Sequence, residues 1–405
     1  MDPLRNPYMP GAGAQPPELT GRADILDRAR VMLGRARRHR VSKAFVAYGL
    51  RGVGKTVLLN QVRQMAVEAG DRVCFVEAHE QKSLPALLVP QLRRVLLELD
   101  RLGALSEQVK RSLRVLKSFM SAVKVTYGDA ELSLDIQAET GTADSGDVEA
   151  DLPDLLAAVG TAAAARDAAV VVLVDELQYL TERDMSALIM GFHRTVQEGL
   201  PFLLAGAGLP QVLALSGRPK SYAERLFDFV PVDALSPVEA ARALEAPAQD
   251  EDAAWTSDAL AEAIQITRGY PYFLQEWGYH AWNEALSSPI QAADVTAAGR
   301  RALKQLDNSF FRVRFDRLTP RERDYLRAMA DLGPGPHRSS AVASRLGLSV
   351  QQAAPLRDGL IARGMAYSPA HGDLAFTVPL FDEFLLRTLP DWHPDPPRRK
   401  RDRPA

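Results

Sequence analysis

Five runs of apolar residues, separated by amphipathic stretches, divide the first 235 residues of the chain. The continuity of β-branched and other apolar residues within these runs predicts strands buried on both faces, as in a parallel sheet. The stretches between them carry Leu and Val at three- and four-residue spacing, which predicts helices. Strands that alternate with helices indicate a doubly wound α/β domain that ends near residue 235. The predicted strands are KAFVAYG (43–49), DRVCFVEA (71–78), AAVVVLVDE (168–176), LPFLLAGAG (200–208) and FDFVPVDAL (227–235).

One connecting segment has a different pattern from the helices around it. Residues 123–136 alternate apolar and polar positions around a Gly-Asp pair, which predicts a β-hairpin. The remaining connections predict helices, one of which begins after a Ser that can cap its first turn. These helices are expected over about 22–38, over 55–69, twice within 84–122, and after the cap Ser145.

The pattern changes twice after residue 235. Residues 236–315 show only helical signals, punctuated by prolines. From residue 319 the pattern predicts three helices, two of them capped by Thr319 and Ser349, and then two short strands within 365–378. Helix, helix, helix and hairpin is the order of a winged helix-turn-helix. The predicted divisions are an extended arm (1–20), an α/β core (21–235), a helical lid (236–315), a winged-helix domain (316–390) and a basic disordered tail (391–405).

Composition narrows the class of protein without naming a reaction. The formal net charge of −2 over 405 residues gives no overall field that would attract nucleic acid. Basic residues cluster in 22–43 and in the tail at 398–403, where they serve either as solvated surface or as a contact for anionic polymers. The single cysteine, Cys74, fits a core thiol in a reducing compartment. No apolar run reaches the roughly 18–20 residues of a membrane span, and the expected location is cytoplasmic.

A glycine-rich loop lies between the first predicted strand and the following helix. Its sequence, GLRGVGKT, fits the pattern G-x-x-x-x-G-K-[ST] at residues 49–56. Glycines permit positive φ and let backbone N–H groups approach phosphate oxygens, and the helix presents its positive end to the same anion. Lys55 can reach the outer phosphates, and the Thr56 hydroxyl can ligate Mg²⁺. The loop therefore predicts a nucleotide phosphate site.

Two carboxylates follow the third predicted strand. Asp175 ends the buried run VVVLVD, where a carboxylate can hold Mg²⁺ beside the phosphate loop. Glu176 comes next, where a carboxylate can polarise the attacking water. Gln178 either senses the outermost phosphate or is an ordinary residue at a helix start. Together these residues predict hydrolysis of a nucleoside triphosphate.

The phosphate loop and the sequence VVVLVDELQ resemble the AAA+ class of P-loop ATPases. The likeness is to archaeal-type ATPases and to the origin-recognition, helicase-loader and STAND groups. It implies a P-loop NTPase core with a parallel sheet, an all-α lid and a winged helix, with ATP or ADP and Mg²⁺ as ligands. The implied phosphate contacts are Gly49, Leu50, Arg51, Gly52, Val53, Gly54, Lys55, Thr56 and Val57.

Three weaker matches extend the resemblance along the chain. ELTGR (18–22) is similar to the segment that packs on adenine in such proteins, which nominates Gly21 and Arg22. SYAERLF (221–227) is similar to the segment that carries an arginine finger, which nominates Arg225. Such a finger would act across a subunit interface, and the alternative for Arg225 is an ordinary ion pair on a helix. TRGYPYFLQ looks like the G-x-P of the STAND lid and nominates the contacts Gly269 and Pro271.

Two departures from the AAA+ pattern predict slow hydrolysis. The strand after the acidic one ends LLAGAG, with no Asn, Ser or Thr to position water. Tyr272 also stands near the place where many AAA+ enzymes carry a lid arginine. The aromatic cluster around Tyr272 is expected to be core. We therefore expect a slow ATPase, and as alternatives a non-hydrolysing STAND-like switch or a winged-helix DNA-binding regulator.

The predicted winged helix has a mixed surface for a DNA reader. Its second and third helices offer polar and basic side chains, but the hairpin tip is His-Gly-Asp rather than basic. The domain is therefore either a DNA contact, helped by the basic tail, or an internal clamp or partner platform. A homo-oligomer or a protein partner is also expected. The candidate DNA contacts are Gln351, Gln352, Arg357, Arg363, Arg338 and Arg345.

Overall fold

The computed structural model describes residues 1–394 except residues 12, 14, 41, 101–105, 125–136 and 218–222. Two compact units make up the chain, and one of them consists of Gly21–Gly49 together with Gly54–Val232. This first unit contains a five-stranded parallel sheet in the order β2-β3-β4-β1-β5. The strands are β1 (Ala44–Tyr48), β2 (Arg72–Glu77), β3 (Val170–Asp175), β4 (Phe202–Gly208) and β5 (Phe227–Pro231).

Parallel strands need crossover connections, and helices provide them in this unit. Strand β1 pairs with β4 on one side and with β5 on the other, so the chain inserts two strands between β1 and β2. All residues of β3 and β4 are buried, which agrees with the apolar continuity of their sequences. The sheet order and the flanking helices are those of a P-loop NTPase of the AAA+ type, as the sequence predicted.

Eight helices surround this sheet in the described residues of the first unit. Helices α3 to α6 bury their apolar faces in one core that also contains the central strands. The predicted helices all form, and the last strand is shorter than expected because it ends at Pro231. The helices are α1 (Ala23–Ala36), α2 (Lys55–Glu68), α3 (Leu84–Leu99), α4 (Glu107–Val123), α5 (Val148–Ala164), α6 (Glu182–Gln197), α7 (Val212–Gly217) and α8 (Ala223–Leu226).

The start of α5 corrects one prediction. Asp147, not Ser145, is the N-cap, and its carboxylate accepts from the Glu149 N–H group. The Ser145 hydroxyl instead donates to Asp151 over 2.8 Å. Both residue types favour N-caps, so local sequence could not choose between positions two residues apart. The hairpin predicted over 123–136 lies almost wholly outside the described residues, and Val123 itself ends α4.

The second unit combines residues 1–20, 50–53 and the chain from 233 onward. Its helices begin with capped turns, including capping boxes at Ser236, Thr319 and Ser349. The caps predicted at Thr319 and Ser349 are therefore confirmed. The helices are α9 (Pro237–Asp250), α10 (Ser257–Thr267), α11 (Pro271–Glu284), α12 (Ala292–Gln305), α13 (Arg312–Asp316), α14 (Pro320–Asp331), α15 (Ser339–Arg345), α16 (Val350–Ala362) and α17 (Phe381–Thr388).

A small antiparallel sheet accompanies the last helices. Strands β7 (Ala366–Tyr367) and β8 (Asp373–Phe376) form the predicted hairpin. A further strand, β6 (His337–Arg338), pairs with β8 and was not predicted, because two residues are too few to show a periodicity. The order of α14, α15, α16 and the hairpin agrees with the order on which the winged-helix prediction rests.

The amino-terminal segment packs into the helical core of the second unit. Tyr8 is buried, and its hydroxyl donates to the Leu244 carbonyl over 2.5 Å and accepts from Trp255. The aromatic cluster of α11 lies in the same core, where Phe273 and Trp277 are buried. The prediction that these aromatic residues form core is thus confirmed. Across the described part of the chain, no helix combines the length and apolarity that a membrane crossing requires.

Candidate nucleotide-binding site

The phosphate loop joins β1 to α2 as its sequence predicts. Gly54 has φ of +93° and is the N-cap of α2, a conformation that favours glycine. The first N–H groups of α2 have no intrahelical partner, so this end of the helix suits an anion. The Lys55 side chain is buried, and its ammonium donates to the Gly49 carbonyl over 3.0 Å. A buried ammonium held at the loop is well placed for phosphate oxygens.

The middle of the loop, Leu50–Val53, belongs to the second unit. Gly52 has φ of +82°, and a Cβ at this position would lie 3.2 Å from the Tyr272 Cβ. The Tyr272 N–H donates to the Gly52 carbonyl over 3.1 Å, and the Arg51 N–H donates to the Thr377 carbonyl over 2.9 Å. The first residues of α11 and the end of the hairpin therefore contact this part of the loop directly.

Thr56 and Asp175 meet beside the phosphate loop. The Thr56 hydroxyl donates to Asp175 Oδ2 over 2.7 Å, which joins the first turn of α2 to the carboxyl end of β3. The second carboxylate oxygen, Oδ1, accepts from the Glu176 N–H group over 2.8 Å. Asp175 and Thr56 were predicted to act together, and the structure brings them into contact.

Asp175 is a buried carboxylate, with 3% of its surface exposed. Burial raises its pKa above the ordinary value, and the Glu176 charge acts in the same direction. The hydrogen bond from Thr56 opposes this shift by stabilising the ionised form, as does the nearby Lys55 ammonium. A carboxylate that is costly to ionise in the folded chain would gain from a cation beside it.

The donor set fits Mg²⁺ by its chemistry. A hydroxyl and a carboxylate are oxygen ligands, and Mg²⁺ commonly takes one or two protein oxygens together with phosphate oxygens and water. Thr56 and Asp175 are the side chains that could hold the ion, because they are the pair joined at the loop.

Glu176 adopts the left-handed backbone conformation, with φ of +55°, which is uncommon for a side chain of this type. Its carboxylate accepts a hydrogen bond from the Gln178 amide. Gln178 lies in a short 3-10 turn, Leu177–Tyr179, and its side-chain oxygen accepts from the Leu209 N–H over 2.9 Å. Leu209 was not nominated from the sequence, because only the fold brings it to Gln178.

The remaining nominated residues belong to different elements of the two units. Gly21 has positive φ and Arg22 is the N-cap of α1, both in the first unit. Arg225 is exposed at the last turn of α8. In the second unit, Gly269 has φ of +70°, and a Cβ there would lie 2.4 Å from the Leu235 carbonyl oxygen. Pro271 begins α11, so the G-x-P segment leads directly to the Tyr272 contact with the loop.

The arginines nominated as DNA contacts are paired with carboxylates of the same unit. Arg338 Nε lies 3.2 Å from Asp373, and Arg363 Nε lies 3.3 Å from the buried Glu322. Arg345 pairs with Asp331, and its guanidinium also lies over the Trp392 ring. Arg357 lies 3.4 Å from Asp358. Gln351 and Gln352 are exposed on α16, with the Gln352 side chain in the capping box.

Residues 316–394 carry no net formal charge. Nine arginines are balanced by nine aspartates and glutamates, and lysine is absent from this stretch. A surface that neutralises phosphates needs unbalanced cationic charge. The described part of this region therefore lacks the electrostatic character expected of a DNA reader.

Comparisons with known proteins agree with the geometry of the phosphate site. Residues 18–205 match the model of an AAA ATPase domain. Residues 308–385 match a second model, described as a domain of unknown function. No curated protein sequence is significantly similar to the chain.

Several solved structures are similar to the chain. The Walker-type ATPase PABY2304 of Pyrococcus abyssi is 16% identical, with 91% of this chain and 96% of that one covered and a TM-score of 0.57. The Thermotoga maritima RuvB Holliday junction branch migration motor is 14% identical over 95% of this chain and 100% of that one, with a TM-score of 0.46. The Aeropyrum pernix ORC1 protein in complex with DNA is 15% identical over 95% and 96%, with a TM-score of 0.47.

The loop, the buried Asp175 and strands β1 to β3 lie within the span of the family match. The likeness to the Pyrococcus ATPase extends the shared fold over most of the chain. Residues 18–205 therefore resemble an AAA ATPase domain, within a chain that shares the fold of the Pyrococcus Walker-type ATPase.

Proposed function

We propose that this protein binds ATP with Mg²⁺ and hydrolyses it slowly to ADP and phosphate. The observation that carries the proposal is the contact between Thr56 and the buried Asp175, with Glu176 as the next residue. Burial makes the ionised Asp175 costly without a cation, and AAA ATPase domains are nucleotide enzymes. A carboxylate kept at such a cost is characteristic of a functional site.

Each side chain of the site has a distinct part in this reaction. Lys55 and the backbone N–H groups of residues 49–57 would bind the phosphates, and Thr56 and Asp175 would hold the ion. Mg²⁺, when bound, neutralises charge on the phosphate oxygens. Glu176 accepts a proton from the water that attacks the terminal phosphorus, so the bond to the bridging oxygen breaks and ADP leaves. The absence of a polar side chain at the end of β4 is the reason for expecting slow turnover.

The first test is hydrolysis of ATP by the full chain in Mg²⁺ and in excess chelator. Phosphate release should require Mg²⁺ and fall to the buffer rate after chelation. ATP binding, measured by calorimetry in parallel, should be present in the wild type. A wild type that binds no ATP, with or without Mg²⁺, would refute the proposal.

A second candidate function is a switch that binds nucleotide without sustained turnover. Two contacts within the second unit favour it: Arg51 N–H to the Thr377 carbonyl, and Tyr272 N–H to the Gly52 carbonyl. Through them, the start of the lid and the C-terminal hairpin engage residues of the phosphate loop. Nucleotide state would then control the position of the lid and of the winged helix. Hydrolysis slower than ADP release by orders of magnitude would favour this function over the first.

A third candidate, a DNA-binding regulator, has the least support among the described residues. The arginines of 316–394 are balanced by carboxylates, so any DNA binding should rest on other parts of the chain. The test is ATPase rate against protein concentration, with and without DNA, for the wild type and Arg225→Ala. A rate that rises with concentration and falls in Arg225→Ala would establish a site shared between subunits. A DNA-stimulated rate would restore the third candidate.

A further inference from the structure

Two glycines near the carboxyl end of β4 face the 3-10 turn at close range. A Cβ at Gly206 would lie 2.5 Å from Leu177 Cδ1, and a Cβ at Gly208 would lie 3.1 Å from Gln178 Oε1. The turn Leu177–Tyr179 therefore packs directly on these two glycines. A side chain at either glycine would therefore press on the turn.

The amide of Gln178 occupies the space above Gly208 in a fixed orientation. Gln178 is buried, with 9% of its surface exposed. Its Oε1 accepts from the Leu209 N–H over 2.9 Å, and a backbone N–H can only donate, so the oxygen of the amide must face Leu209. The NH₂ group must then face the other way, where it donates to Glu176 Oε2. The Leu209 N–H just after the end of β4 therefore determines that the NH₂ group of Gln178 faces the Glu176 carboxylate.

The same contacts connect Glu176 to the phosphate loop. Gly208, next to Leu209, accepts from the Gly49 N–H over 3.2 Å, and the Gly49 carbonyl accepts from the Lys55 ammonium over 3.0 Å. A continuous set of hydrogen bonds and peptide groups thus runs from Glu176 through Gln178 and β4 to Lys55. All of these residues belong to the first unit.

We propose that Gln178 is the positioning residue for Glu176, and that it supplies from the 3-10 turn the polar group that the end of β4 lacks. The inference rests on the proposed function of Glu176 in ATP hydrolysis. The Gln178 amide limits the rotamers of the carboxylate, and it ties the carboxylate to the strand that adjoins the phosphate loop. Because misplacement by about 1 Å can cost roughly 100-fold in rate, this bond matters to turnover more than to binding.

The most informative variant is Gln178→Glu, which replaces the NH₂ group that faces Glu176 and keeps an oxygen that faces Leu209. A carboxylate at 178 still accepts from the Leu209 N–H, so the turn keeps its attachment to β4. When ionised it cannot donate to Glu176, and its charge repels that carboxylate. The matched control is Gln197→Glu, the same exchange at the exposed last residue of α6. Gln178→Met, of similar volume, removes both hydrogen bonds without adding charge.

The first readout separates turnover from binding. In Gln178→Glu and Gln178→Met, kcat should fall about 10- to 100-fold, while the dissociation constant for ATP changes less than about threefold. Gln197→Glu should match the wild type in both quantities. In Gly208→Ala, the added methyl would press on Gln178 Oε1. This variant should lower kcat although Gln178 and Glu176 are both still present. Wild-type kcat in both Gln178 variants would overturn the proposal.

The second readout does not depend on turnover. It is the ratio of dissociation constants for ADP and for ADP with aluminium fluoride, both in Mg²⁺. The variants should lose affinity for the fluoride complex about 10-fold or more relative to ADP. An unchanged ratio would overturn the role of Gln178 even if the wild type hydrolysed no ATP. Absent wild-type hydrolysis with a changed ratio would instead refute the proposed ATPase activity and keep Gln178 as a positioning residue.

Discussion

Charged side chains are paired differently at the carboxyl end of β3 and in residues 316–394. Asp175 is buried beside Thr56, and burial raises the pKa of its carboxyl group. In the C-terminal stretch, Arg338 and Arg363 lie beside carboxylates of the same unit. There the pairing lowers a carboxyl pKa, as Arg327 and Arg345 do for Asp331.

On the proposed function, this difference distinguishes a binding site for a ligand from a surface whose charges are paired within the chain. Burial raises the pKa of Asp175, and a cation beside it would favour the ionised form. The C-terminal arginines have partners already, so they have less to gain from an added phosphate. Nucleotide chemistry is therefore expected in the first unit, and charge pairs of residues 316–394 are expected to contribute to stability.

Among the binding and stability effects, the largest is expected for Lys55→Ala. This change removes a buried ammonium at the phosphate loop, and hydrogen bonds to charged groups contribute roughly 1.5–3 kcal/mol. ATP affinity should fall about 10- to 100-fold by calorimetry. The control is Lys304→Ala at an exposed position of α12, which should bind ATP as the wild type does. An unchanged ATP affinity in Lys55→Ala would show that the phosphate loop does not bind ATP through Lys55.

An intermediate effect is expected for Asp175→Asn. The amide removes a charge that burial disfavours, so the nucleotide-free variant should unfold at a higher temperature than the wild type at neutral pH. Because the folded pKa lies above the unfolded one, the wild type loses stability as the pH rises through that interval. The difference in unfolding temperature between Asp175→Asn and the wild type should therefore vanish below about pH 4.

Thermal unfolding at several pH values, with exposed Asp391→Asn as control, measures this effect. Mg²⁺-dependent hydrolysis should be lost in the same Asp175→Asn protein. If Asp175→Asn unfolds at a lower temperature than the wild type at neutral pH, the Asp175 carboxylate stabilises the folded chain, which contradicts this prediction.

The smallest effect is expected for Arg338→Gln in the second unit. Its pair with Asp373 is exposed on the arginine side, and such pairs contribute at most about 1 kcal/mol. The unfolding temperature should fall slightly, and affinity for duplex DNA, measured by fluorescence anisotropy, should match that of the control Arg300→Gln. A DNA affinity that drops in Arg338→Gln alone would show that this surface binds phosphate.

The features that the sequence predicts well are those fixed by short stretches of chain. The strand and helix pattern of the first unit, the phosphate loop and the caps Thr319 and Ser349 each depend on residues close to one another. The N-cap of α5 is the exception, because Ser145 and Asp147 are equally suitable locally.

The features that the sequence could not predict depend on distant contacts. The sequence left the role of Gln178 open because its partner Leu209 lies 31 residues away, on the far side of α6 and β4 in the chain. Tyr8 contacts Leu244 across 236 residues, so the burial of the amino-terminal segment has no local signal. The pairing of Arg363 with Glu322 likewise exists only in the folded unit.

On the proposed function, Glu176 is the general base without which the site binds ATP but does not hydrolyse it. The most direct test is phosphate release at saturating ATP and Mg²⁺ by wild type, by Glu176→Gln and by the control Glu182→Gln, exposed on α6. We predict that Glu176→Gln retains ATP affinity and loses about 100-fold or more in rate, as expected for a general base, while Glu182→Gln matches the wild type. Equal rates in Glu176→Gln and wild type would contradict the account.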